Sequence, residues 1–75
     1  MPVKLFGLTG DSATQQVISL LEQADMDYEF IEPTNSLMGY QLMFAVTGTD
    51  KPPVLCIDGK AYRGVSAAQT VFATR

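Results

Sequence analysis

Pro53-Val54-Leu55-Cys56-Ile57-Asp58-Gly59, running on into Lys60-Ala61-Tyr62-Arg63-Gly64, is the stretch that decides the fold. Val54 to Ile57 is an unbroken apolar run of strand length, the pattern of a strand buried on both faces. Asp58-Gly59 is the dipeptide that a two-residue hairpin turn favours, because both central positions need positive φ. Lys60 to Arg63 therefore returns as the antiparallel partner, and Gly64 turns the chain. Ahead of the run, Thr49, Asp50, Lys51, Pro52 and Pro53 form a connector that two prolines stiffen.

Toward the amino terminus, Val3, Leu5 and Phe6 end at Gly7 and read as another short buried strand. A loop of Gly7, Leu8, Thr9, Gly10 and Asp11 follows. Ser12 to Gln15 has the S-x-x-Q spacing of a capping box. Behind it Ala13, Val17, Leu20, Leu21 and Ala24 form an apolar stripe on one helical face. Tyr28 to Glu32 then reads as a second strand closed by Pro33. A second helix is expected from near Ser36 to just before Gly48, a residue suited to a left-handed cap. Its apolar residues wrap most of the cylinder, so one face must look outward or meet another molecule. Ser66-Ala67-Ala68-Gln69 repeats the capping-box spacing and predicts a last short helix with Val71 and Phe72 turned inward.

The order is β-α-β-α-β-β-α. A helix of about a dozen residues between the first two strands is long enough for a right-handed parallel crossover. The hairpin makes the last two strands antiparallel. An α/β fold with a four-stranded mixed sheet follows, as a single domain over residues 1–75.

Composition narrows the function. A chain 47% hydrophobic and only 17% charged can condense into a core. Five basic against eight acidic residues, with no basic run, leave nothing to displace phosphate counterions, so nucleic acid and acidic membranes are poor partners. No apolar stretch nears the roughly 18 residues of a spanning helix, and Met1 to Phe6 lacks the features of a secretory signal. A cytoplasmic protein is expected. With one cysteine and no histidine, an internal disulfide, a Cys/His zinc site and any His-based triad are excluded.

This order and punctuation resemble a glutaredoxin, including the small glutaredoxin-like redoxins that serve ribonucleotide reductase. The resemblance rests on Val3 to Phe6, Leu20-Leu21-Glu22 with Asp27-Tyr28-Glu29, Pro53 to Gly59, and Gly64. It implies a thioredoxin-like fold in its minimal glutaredoxin form, with Pro53 at the family's cis-proline. Extending the match from Leu20-Leu21 puts the family's Cys-x-x-Cys on Asp11, Ser12, Ala13 and Thr14, so both thiols are missing. That chemistry needs a thiolate at a helix start, where orphan N–H groups and the dipole lower its pKa. A carboxylate cannot take part in thiol–disulfide exchange.

Three further departures concern glutathione. Leu8 and Thr9 stand where the family often has a lysine, Pro52 has no N–H to offer, and Ser66 replaces an acidic residue. A degenerate, redox-inactive domain is therefore expected, binding a protein or ligand in a groove lined by Leu8, Thr9, Lys51, Pro52, Pro53, Arg63, Gly64, Val65 and Ser66. No cofactor or metal is expected, although glutathione bound without its usual contacts stays open. The alternatives are a glutathione-linked electron carrier acting through Cys56 or bound glutathione, and a structural subunit docking by its second helix.

Each feature also has a plainer reading. Asp11 serves as a helix cap shared with Ser12. Gly7 to Gly10 lacks the spacing of a phosphate loop. Cys56, mid-strand, reads as a buried and inert thiol. Met38, Tyr40, Leu42 and Met43 read as core or as a partner-facing surface.

Overall fold

The computed structural model describes residues 2–33, 37–49 and 51–73. Its elements are β1 (Val3–Phe6), α1 (Ser12–Gln23), β2 (Glu29–Ile31), α2 (Leu37–Thr47), β3 (Val54–Ile57), β4 (Lys60–Arg63) and α3 (Gly64–Ala73). The sheet order is β2-β1-β3-β4. β1 runs parallel to β2, pairing Leu5 with Phe30, and antiparallel to β3, pairing Phe6 with Val54. β3 and β4 form the expected hairpin, with Val54 opposite Arg63. Asp58 (φ 53°) and Gly59 (φ 82°) take the positive dihedrals that its tight turn demands.

Alternation along the strands divides the core in two. Val3, Leu5 and Leu55 meet Val17 and Leu21 of α1 and Ala68 of α3 on one face. Phe6, Val54 and Cys56 meet Met43 of α2 on the other. The first face is closed, with Leu5, Leu21 and Ala68 all fully buried. On the second Phe6, Val54 and Met43 are buried as well, while Leu42, Phe44 and Val46 on the outward side of α2 remain 56–57% exposed. The helix is apolar nearly all round and can turn only one side to the sheet, as its sequence requires.

Three boundaries differ from the sequence reading. α1 is capped by Asp11, as the plainer reading of that residue had it, but with no share for Ser12 and without a Ser12–Gln15 box; Asp11 is extended and its side chain accepts from the Thr14 N–H. Two overlapping cap patterns compete there, and the earlier one turns Thr14 into the core, where it is fully buried. β2 is shorter than Tyr28 to Glu32, because β1 offers partners only from Lys4 to Phe6. α3 begins at Gly64 and not at Ser66: it follows β4 with no intervening loop, and the Gly64 N–H still bonds to the Pro53 carbonyl (2.9 Å), next in line after the β3–β4 pairs. Val71 and Phe72 are half-buried. α2 ends before Gly48 (φ 77°), as expected, while its expected start at Ser36 lies outside the described residues.

Candidate functional site

The strand register gathers the sequence-predicted residues at one end of the sheet. Phe6, Val54 and Arg63 form a row across β1, β3 and β4, so Gly7, Pro53 and Gly64 come next. The Gly7 N–H reaches the Ile31 carbonyl (3.1 Å) and brings the end of β2 to the same edge. Pro53 is buried, Pro52 half-buried, and the peptide bond between them is cis. Above this edge stands the start of α1.

Asp11 and Thr14 close on each other there. Asp11 Oδ2 accepts from the Thr14 N–H and from the Thr14 hydroxyl, both at 2.9 Å. Thr14 Oγ1 in turn accepts from the Leu8 N–H (3.1 Å). The hydroxyl thus ties the loop to the helix, donating once and accepting once, which satisfies a group with no access to water. Gly7 makes the close approach feasible: a Cβ on it would lie 3.0 Å from Thr14 Oγ1 and 3.1 Å from Phe30 Cε1. Asp11 is half-exposed, Ser12 exposed and Ala13 half-buried.

Two partners escaped the sequence reading. Glu32 Oε2 accepts from the Thr9 N–H (2.6 Å), pinning the same loop from the β2 side. These residues are 23 apart in sequence, and only the parallel pairing of β1 and β2 signals their meeting. Thr47 is buried, and its hydroxyl bonds the Met43 and Thr49 carbonyls. The Thr47 carbonyl receives Arg63 Nε (2.8 Å). Arg63, expected to line the groove, is exposed at this end of the sheet and also clamps the end of α2, where a cation suits the helix dipole. Val65 packs partly against the α1–α3 core, leaving Lys51 and Ser66 exposed at this end.

The chain's sulfhydryl is elsewhere. Cys56 is 9% exposed on β3, opposite Lys4 and Ala61. Burial pushes its thiol up, opposed by the Lys4 charge. Among the described residues no group of three or more His, Cys, Asp or Glu could hold a metal ion, and no helix is long and apolar enough to cross a membrane.

No protein-family model matches this chain, and no curated protein matches it in sequence. Solved structures do match. A buckwheat glutaredoxin in complex with glutathione superposes with a TM-score of 0.82 at 22% identity, covering 97% of this chain and 69% of that one. The holo form of glutaredoxin C1 from the poplar Populus tremula x tremuloides gives 0.81 at 26% identity, covering 99% and 76%. A glutathione S-transferase from Xanthobacter autotrophicus Py2 gives 0.81 at 24% identity, covering 95% of this chain but 36% of that one. The chain is glutaredoxin-like, with a thioredoxin-like α/β fold.

Proposed function

We propose that this glutaredoxin-like chain is a redox-inactive binding module, holding a protein or peptide at the end of the sheet without thiol–disulfide turnover. One observation carries the reading: at the helix start where the resemblance puts two thiols, Asp11 and Thr14 are hydrogen-bonded to each other. The single cysteine lies on β3 with its pKa raised, the reverse of what a nucleophilic thiol requires.

Glutathione does not fit this end in the family's manner. The Leu8 and Thr9 N–H groups are already taken by Thr14 and Glu32, Pro52 offers none, and the Gly64 N–H serves Pro53. A protein or peptide is the better ligand because Thr9, Ser12, Lys51 and Ser66 present an exposed polar rim.

The test is reduction of hydroxyethyl disulfide with glutathione and glutathione reductase. The expected rate equals that of the Cys56→Ser variant. A wild-type rate above that variant's would instead make the chain an electron carrier working through Cys56. For the rim, a Thr9→Arg/Ser66→Glu double variant should lose whatever partner the wild-type chain retains from native extract.

A further inference from the structure

On the α2 face of the sheet, at the end opposite the start of α1, a half-open cavity of about 260 Å³ is walled by Pro2, Lys4, Val46, Cys56 and Gly59. Among the described residues of its wall, Lys4 is the one that carries a charge. Lys4 is exposed, pairs with Cys56 across the β1–β3 register and shares the face of β1 that carries Phe6, which puts its side chain on the cavity side. Val46 belongs both to this wall and to the exposed side of α2. Leu42, one helical turn earlier, continues the apolar path on the same flank and is 56% exposed. No residue of α2 carries a charge.

A single cation at the head of an apolar track selects an amphiphile of opposite sign. A neutral apolar molecule would gain nothing from the exposed ammonium, and a cationic one would be repelled. We propose that this cavity binds an aliphatic carboxylate, its head on Lys4 and its chain along Val46 and Leu42. The site is independent of the groove at the start of α1. Glu29 is paired with Lys4 across the β1–β2 register, so its carboxylate would compete for the same ammonium.

The experiment is an NMR titration with decanoate below its micelle concentration, with decylamine as the sign-reversed control. Decanoate should shift the amide signals of Lys4, Val46 and Gly59. Lys4→Gln should weaken binding about fivefold, the scale of one exposed ion pair, whereas Glu29→Gln should leave it equal or tighter. The proposal is overturned if decanoate moves none of these signals, if decylamine binds as well, or if Lys4→Gln binds undiminished. It is equally overturned if the shifts fall on Leu20, Gln23, Ala24 and Phe72, which line a separate cavity between α1 and α3.

Discussion

The start of α1 and the middle of β3 divide between them what a thiol catalyst needs in one place. The helix start has the half-exposed position and the oriented N–H groups, but an Asp11–Thr14 pair fills it. β3 has the sulfur, but Cys56 sits among Phe6, Met43 and Val54, where burial disfavours the thiolate. The difference teaches that the scaffold and its chemistry are separable. At the helix start a carboxylate and a hydroxyl satisfy the backbone N–H groups of Thr14 and Leu8.

Moving the sulfur breaks the division most strongly. In a Cys56→Ser background, Asp11→Cys should give a thiol that iodoacetamide labels at pH 7 on the order of 100-fold faster than Cys56 in the native chain, since helix starts lower thiol pKa. Equal rates would mean that the helix start offers no activation. Next in size is Thr14→Val, which keeps the shape but leaves the Leu8 N–H without its acceptor. Urea unfolding should show a loss of about 1–3 kcal/mol, with Thr14→Ser restoring part of it. Asp11→Ala removes the cap together with the acceptor of the Thr14 hydroxyl, and should cost about 1–2 kcal/mol in the same assay.

The smallest effect concerns β3. Because the folded pKa of Cys56 is raised, the protonated thiol favours folding. That contribution is present below the ordinary thiol pKa of 9.0 and is lost as pH climbs through the folded value. Wild type should therefore lose more stability than Cys56→Ser between pH 8 and pH 10; parallel curves would place the thiol in solvent.

Much of this was legible in the chain itself. The hairpin at Asp58-Gly59, the buried run from Val54 to Ile57 and the outward face of α2 follow from spacing and turn chemistry alone. The start of α1 was harder, since Asp11-x-x-Thr14 and Ser12-x-x-Gln15 are both sound caps, and only the burial of Thr14 decides between them. Glu32 and Arg63 were not legible as partners of Thr9 and Thr47, because those meetings depend on strand order and not on neighbours in sequence. The same holds for the cavity beside Lys4, which forms only where Val46 of α2 meets the ends of β1 and β3.

The most direct measurement is the intact mass of the native protein held with oxidised glutathione at pH 7, beside the same protein in denaturant. The account predicts that the unfolded chain gains one glutathione at Cys56 while the native chain stays unmodified over the same interval. A native chain that forms the mixed disulfide as quickly as the unfolded one would contradict it.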